Sequence, residues 1–299
     1  MMKHTIFVLD GNWYLHRAYA VTRAVHRDFS DALYAMFIGM LCKDAMAVQS
    51  KRVLVCFDGP IVFRYAIYPY YKANRHENHE PIDNTIPGRE GAKEIYTYLD
   101  GLKALLTELK IAWIQHNKYE ADDCCCSASY KYKNEYRVIV GTKDKDSYQY
   151  LDAENDVQLY DSSFKVKGES KPRYIDAALA EKLKGIPVSQ MRAFQSLIGD
   201  AIDNIPEIVN ARQAKKILLE YGSVKEALKS SEYKNILLPR LEDIKRNAKL
   251  ITLVKNVELP EASSLLAKRV VLDEVLKRNL PKSYFNYIEY ACPKSRSLF

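Results

Sequence analysis

Short apolar runs, each stopped by an acidic residue, punctuate the first half of the chain. Residues 5–9 are Thr-Ile-Phe-Val-Leu, β-branched, aromatic and too few for a helix. They end at Asp10-Gly11-Asn12, a turn signal, so the run predicts a fully buried strand. Residues 52–57 repeat the pattern and end at Asp58-Gly59-Pro60. Between them, 13–24 and 30–49 predict helices, the second with a rough apolar stripe through Leu33, Phe37, Met40, Leu41 and Met46. Strand, helix and strand in that order is the βαβ arrangement of a parallel sheet. Further strands are expected at 111–115, 136–140 and 157–160, with helices at about 89–109 and 120–133. The strand at 157–160 is expected to be the last, and beyond residue 173 the periodicity is helical: 189–198, 211–221, 223–229 and 233–254. The polar, Gly- and Pro-containing stretch 165–173 separates the two patterns and marks a domain boundary.

Residues 63–98 break the alternation. They are aromatic and basic as far as Arg75, then polar and rich in breakers, and read as an excursion from the sheet. Tyrosines interleaved with Lys and Arg suit base stacking and backbone contact. Tyr65 and Tyr68 read instead as core-packing rings with outward hydroxyls.

Composition changes the picture in three ways. The 299 residues can bury a large core. No apolar run approaches the roughly 18–20 residues of a membrane span, and residues 5–9 are too quickly interrupted for a secretory signal; the expectation is a cytoplasmic protein. Of six cysteines, Cys124, Cys125 and Cys126 are consecutive, without zinc-site spacing, and read as small buried side chains. The formal charge is +7, and it is far more positive once the acids discussed next are set aside. A basic body around one acidic pocket suggests a polyanion whose phosphates reach the pocket.

Those acids centre on Glu120-Ala121-Asp122-Asp123. Alone, they would read equally well as a solvated helix start. But Asp10, Asp58, Asp144 and Asp146 also follow apolar runs, and Asp200 and Asp203 form a further pair. Carboxylates repeated at strand ends predict one hard-cation site assembled from distant parts of the chain. Asp144 and Asp146 point to one side if the backbone there is extended. Asp200 and Asp203 share a face if their turn is helical.

In order along the chain, Val8-Leu-Asp10-Gly, Phe57-Asp58, Phe63-Arg64, Tyr71-Lys72-Ala-Asn-Arg75, Tyr119-Glu-Ala-Asp-Asp123, Asp144-Lys-Asp146 and Ile198-Gly-Asp200-Ala-Ile-Asp203-Asn-Ile-Pro206 resemble the 5′-nucleases. These are bacteriophage flap endonucleases and 5′–3′ exonucleases, and the nuclease domain of bacterial DNA polymerase I. Leu250 to Pro260 resembles the family's closing segment. The resemblance implies a PIN-like (Rossmann-like) α/β fold with a mostly parallel sheet over residues 1–168, including a helical arch at about 70–98. It further implies a helical duplex-binding domain at 169–299, with a helix–three-turn–helix module at about 186–222. All nine acids are then expected to hold two or more Mg²⁺ ions, replaceable by Mn²⁺, that hydrolyse phosphodiesters to 5′-phosphate and 3′-hydroxyl ends. Lys72 and Arg75, at i, i+3, are expected on one helix face aimed at the scissile phosphate. Arg64, Tyr71, Lys143, Arg212, Lys215 and Lys216 are the expected nucleic-acid contacts. The expected partner is DNA with 5′ ends or flaps, extending to RNA–DNA hybrids, met by a monomer. Lacking an attached polymerase, the chain resembles the phage enzymes, which implies a role in phage DNA replication or primer removal in the host cytoplasm.

Two departures stand out. Lys143 replaces a family glycine, adding a positive charge beside Asp144. The family's glycine-rich hairpin becomes Glu207-Ile-Val-Asn-Ala-Arg212, which removes the residues that let backbone approach phosphate. The rival readings are a binding module that does not cut, and a phosphatase or phosphotransferase with an Asp nucleophile. The first would leave nine carboxylates repelling its ligand; the second usually wants Asp-x-Asp after the first strand, where Asp10 is followed by Gly11-Asn12.

Overall fold

The computed structural model describes residues 3–23, 29–60, 62–75, 93–163 and 174–293. Six strands form one sheet: β1 (Thr5–Asp10), β2 (Arg52–Phe57), β3 (Ala112–Gln115), β4 (Arg137–Gly141), β5 (Val157–Tyr160) and β6 (Tyr174–Ile175). Their order is β3-β2-β1-β4-β5-β6. The first five run parallel, and β6 pairs antiparallel with β5. The chain winds outward from β1 in one direction, then returns to β4 and winds the other way. In such sheets the crevice outside the carboxyl ends, where the order reverses, is the natural ligand site. Asp10 closes β1 at that point.

Helices fill both faces: α1 (Gly11–Arg23), α2 (Phe29–Ala47), α3 (Phe63–Ile67), α4 (Lys93–Thr97), α5 (Leu99–Glu108), α6 (Ala121–Tyr132), α7 (Ala177–Lys184), α8 (Met191–Ile198), α9 (Ala211–Tyr221), α10 (Val224–Ala227), α11 (Ser231–Leu237), α12 (Leu241–Ile251), α13 (Glu274–Asn279) and α14 (Lys282–Ala291). The strand period of two divides the core. Ile6 and Val8 face Cys124, Cys125 and Cys126 of α6, and beyond them Phe194, Leu197 and Ile244. Phe7 and Leu9 face α1, α2 and α5, and Tyr284 and Tyr287 of α14. The three consecutive cysteines are thus core side chains, and burial pushes their thiols well up. A third, small cluster joins Tyr71 to Ile205, Leu250 and Ile251, with Tyr65 and Tyr68 packed against it.

The helix expected at 89–109 is described from Lys93, and it breaks at Tyr98 into α4 and α5. Residues 76–92, most of the expected arch, and 164–173, most of the expected boundary, lie outside the described residues. Packing crosses that boundary: β6 completes the sheet from its far side, and α14 packs on α2 through Tyr284 and Tyr287. Among the described residues, no helix is long and apolar enough to cross a membrane.

Candidate functional site

Three parallel strands deliver acids to the crevice: Asp10 ends β1, Asp58 follows β2 and Asp144 lies three residues past β4. Hydrogen bonds, local and long-range, aim them. Asp10 Oδ1 accepts the Trp13 amide at 3.0 Å and Oδ2 accepts the Thr142 hydroxyl at 3.3 Å. Asp58 is held reciprocally by Asn12, whose Nδ2 donates to Oδ2 at 2.6 Å while its Oδ1 accepts the Asp58 amide at 3.0 Å. The Ala121 amide, at the start of α6, donates to Asp58 Oδ1 at 2.8 Å. Gly59 permits this approach, since a Cβ there would collide with the His116 carbonyl oxygen.

The electrostatics of the crevice are those of uncompensated anions. Burial, then Asp58 and Asp144, raise the Asp10 carboxyl to about 7, against the opposing hydrogen bond from Trp13. Asp122 is pushed well above the ordinary range by burial and by Asp144, Asp10, Asp58 and Glu120, and its Oδ1 is buried with no hydrogen-bond partner. Desolvation, then Asp203 and Asp200, raise Asp144, with Lys72 opposing. Desolvation and the charges of Asp144, Asp203 and Asp200 raise Asp146 well above its usual value. Among the described residues, no group of three or more His, Cys, Asp or Glu side chains is drawn together tightly enough to enclose an ion. The acids instead act on one another through charge, Asp122 with Asp144, Asp10 and Asp58, and Asp146 with Asp144, Asp203 and Asp200. A hard divalent cation that retains part of its water fits this donor set, because it removes the repulsion and supplies the orphaned Asp122 oxygen with a partner.

Glu120 and Asp123 depart from expectation. Asp123 is fully buried. Arg64 grips it with two bonds, Nη1 to Oδ2 at 2.6 Å and Nη2 to Oδ1 at 2.8 Å, while the Glu120 and Val254 amides donate to the same carboxylate. Glu120 accepts from Lys72 Nζ and Tyr71 Oη, and Arg64 Nη1 lies 3.0 Å from its Oε2. Burial pushes Glu120 up, but Lys72 and Arg64 outweigh it and hold the carboxyl at about 2. These two acids are engaged here as counterions of Arg64 and Lys72. Arg64 and Tyr71, 2% and 3% exposed, are likewise committed inside the protein, which corrects their expected contact with nucleic acid. Arg64 also donates to the Leu250 carbonyl at 2.6 Å, tying α3 and the N-terminus of α6 to the end of α12.

Local backbone corrects two further expectations. Asp144 is extended, but Asp146 is not; Asp144 caps a 3₁₀ turn, Lys145–Tyr150, that contains Asp146, and its Oδ1 accepts the Asp146 amide at 2.8 Å. Lys72 does not share an α-helical face with Arg75. It sits in a left-handed turn, φ 58°, just before the 3₁₀ segment Ala73–Arg75. The side chain of Arg75 lies outside the described residues.

Asp200 and Asp203 occupy a pinned turn. Gly199 adopts φ 64°, where a side chain would strike the Ile205 carbonyl oxygen. Asp200 and Ile205 exchange backbone hydrogen bonds, and Asp200 Oδ1 accepts the Ile202 and Asp203 amides at 2.7 and 3.2 Å. The turn is bonded to the segment carrying Lys72: the Lys72 amide donates to the Asp203 carbonyl at 2.9 Å, Tyr71 Oη to Asp203 Oδ2 at 3.1 Å, and Asn204 Nδ2 to the Tyr70 carbonyl at 2.7 Å. Lys72 Nζ lies 3.8 Å from Asp203 Oδ2.

Farther out, Lys143 and Arg212 are exposed, Lys215 is half-buried, and Lys216 is paired with Glu232 at 3.0 Å. In the glycine-poor turn before α9, Ile208 and Val209 are buried and both donate their amides to the Leu197 carbonyl. Sequence reasoning missed Asn12, Thr142, Gln195, which donates to Asp146 Oδ1, and Lys184. The Lys184 ammonium is lowered by burial and by Lys145, with Asp146 opposing. Asn12 and Thr142 each stand within two residues of a strand-end acid, and that proximity was the available signal.

Residues 5–184 match the model of the 5′-3′ exonuclease N-terminal, resolvase-like domain. The chain is 28% identical to DNA polymerase I of Deinococcus radiodurans over 85% of its own length, but spans only 26% of that protein. It is 22% identical to the 5′-3′ exonuclease of Mycoplasmopsis pulmonis, covering 94% of this chain and 91% of the relative. In structure it is similar to the bacteriophage T5 D15 flap endonuclease, crystallised with DNA and metal ions, with a TM-score of 0.66 and 20% identity over 84% of this chain and 89% of that one. The likeness extends to the α/β fold with its mostly parallel sheet.

Proposed function

Because the chain belongs to the family of 5′-3′ exonuclease N-terminal, resolvase-like domains, we propose that it is a structure-specific 5′-nuclease acting on DNA with 5′ ends or flaps. The observation that carries this reading is the buried, unpartnered Oδ1 of Asp122 among the mutually repelling Asp10, Asp58 and Asp144 at the switch point of the sheet. Asp10, Asp58, Asp122 and Asp144 would hold one divalent cation, and Asp146, Asp200 and Asp203, on the outer side, a second; Mg²⁺ suits all-oxygen donors that leave water in place. Two such ions supply Lewis acidity and charge balance for in-line displacement at a phosphodiester.

The chain's own residues do the positioning. Asn12 and Thr142 fix the orientation of Asp58 and Asp10. Arg64 neutralises Asp123 and holds the N-terminus of α6, so that Asp122 faces the cleft. Lys72 is the cation within reach of both Glu120 and Asp203, and its role is to offset charge on the phosphoryl group as it transfers. Arg75 would hold the phosphate, on the strength of the resemblance. The α8–α9 pair is the proposed helix–three-turn–helix for duplex, with Arg212, Lys215 and Lys216 as side-chain contacts and Lys143 nearer the cut. Products with 5′-phosphate and 3′-hydroxyl ends, and a part in primer removal during replication, belong to the same proposal.

A gel assay on 5′-labelled flap DNA, with Mg²⁺ or with chelator, tests it. Cleavage in Mg²⁺ and none in chelator is expected. Tight flap binding without cleavage in Mg²⁺ or Mn²⁺ would overturn the enzyme reading in favour of a binding module.

A further inference from the structure

While Arg64 turns into the carboxylate cluster, Phe63 and Ile67 of the same short helix line a groove of about 820 Å³ between α3, α8, α10 and α12. Val224, Leu228, Ile244 and Leu253 give it an aliphatic floor. Its rim carries Arg192, Lys225, Lys245 and Lys249, all exposed, with Lys245 also in a surface pair with Glu242. A cavity of about 260 Å³ shares Arg192, Thr252 and Leu253 with the groove and adds Lys255. None of the proposed metal ligands lines either one, and neither do Lys143, Arg212, Lys215 or Lys216, although α8 contributes Arg192, Ala193 and Ser196 to the groove.

We propose that this groove docks a short acidic peptide segment of a partner protein, its apolar side chains seated on the floor and its carboxylates along the cationic rim. Charge and lining together select this occupant. A nucleic-acid strand wants aromatic stacking platforms under its bases, and Phe63 is the groove's one aromatic residue. Aliphatic floors take aliphatic or aromatic anchors of a peptide, which supply the binding energy by leaving water. The basic rim then sets the sign of the flanking residues and speeds encounter. A peptide lacking either feature would forfeit one of the two terms.

The test selects a random short-peptide library on the intact protein, with Lys225→Glu/Lys249→Glu protein as the counter-selection. Enriched sequences should place Asp or Glu around two or three apolar residues. A fluorescein-labelled enriched peptide should weaken by about tenfold or more on Ala248→Phe, which fills the groove, and by a similar factor on the charge-reversed variant. Both variants should still cleave 5′-labelled flap DNA at the parental rate, which certifies the fold and leaves the nuclease reading separately judged. No enrichment above counter-selection would overturn the proposal, as would peptides indifferent to Ala248→Phe. Displacement of the peptide by a single-stranded oligonucleotide at equal charge would reassign the groove to nucleic acid and equally overturn it.

Discussion

Asp122 and Asp123 are neighbours of the same residue type on the first turn of one helix, yet they live in opposite electrostatic worlds. Asp123, with Glu120, faces Arg64, Lys72 and Tyr71, and every oxygen of the pair is answered by a donor. Asp122, with Asp10 and Asp144, faces other carboxylates, and one of its oxygens is answered by nothing. A turn of about 100° per residue separates the two groups. The answered acids hold α3, α6 and α12 together; the unanswered ones store repulsion that a cation can release. An acidic cluster is therefore two populations, and the compensated one is the scaffold of the other.

The largest effect that sharpens this division is on catalysis. Asp10→Asn or Asp144→Asn should abolish cleavage while flap binding stays close to parental, because each removes an acid from the uncompensated group and its repulsion with it. Undiminished cleavage by either variant, or by the parent in chelator, would show that the uncompensated acids serve no ion. Lys72→Ala should come next, slowing single-turnover cleavage by about 10²–10³ with little loss of affinity, as expected for a charge that acts mainly in the transition state. An affinity collapse at near-parental rate would make Lys72 a binding residue.

The compensated group is read through stability. Asp123→Ala leaves the Arg64 guanidinium buried and lacking its bidentate partner, which typically costs about 3–5 kcal/mol. Asp122→Asn removes repulsion one residue away and should leave the metal-free midpoint unchanged or raised. Urea unfolding in chelator measures both. Equal destabilisation by the two variants would erase the distinction drawn between these neighbours.

This division was only half legible in the sequence. The strand ends were plain, since 5–9 and 52–57 are uninterrupted apolar runs stopped by Asp-Gly, and the parallel order followed from the spacing between them. Asp10 and Asp58 were therefore placed correctly. The fate of Asp123 was written in a subtler signal: Glu120 and Asp123 stand three apart at a helix start, the spacing of a capping box, and Asp123 Oδ2 does accept the Glu120 amide at 3.1 Å. Arg64 read as part of a basic excursion, because the groups that bury it, the Asp123 carboxylate and the Leu250 carbonyl, lie far away in sequence. The 3₁₀ turn at Asp144 had no comparable signal, because Lys-Asp-Lys-Asp favours neither extended nor turned backbone. Nor did the return of α14 onto α2, which depends on packing between residues more than two hundred positions apart.

The two populations also carry opposite pH signatures. The folded Asp10 carboxyl sits at about 7 against an ordinary value of 3.8. Between those values the native state holds a proton that the unfolded chain has lost, so metal-free stability falls as pH rises through this window. Glu120 sits at about 2 against 4.5, so its contribution is present above 4.5 and is lost as pH falls toward 2. Unfolding in chelator should show declining stability from pH 4 to 7, flattened by Asp10→Asn and by saturating Mg²⁺. A flat or rising metal-free profile over that range would contradict the picture of an uncompensated cleft.

The smallest effect carries the same distinction over to cations at the proposed duplex contact. Lys216 is already answered by Glu232, whereas no ion pair of Arg212 or Lys215 is present among the described residues. The amides of Ile208 and Val209 are spent on the Leu197 carbonyl, so the turn cannot grip phosphate through them, and side-chain charge must carry the contact. Each phosphate contact contributes roughly 0.9 to the slope of log affinity against log salt on duplex DNA. Arg212→Ala and Lys215→Ala should each flatten that slope by about this amount on a flap substrate. Lys216→Ala should flatten it by less, since a lysine paired within the protein releases fewer counterions when DNA arrives. Binding of a short single strand should be nearly unchanged in all three. A full-sized loss at Lys216 would show that its pair with Glu232 opens on binding. An unchanged slope in all three would place the duplex on another surface, and the α8–α9 assignment would have to be given up.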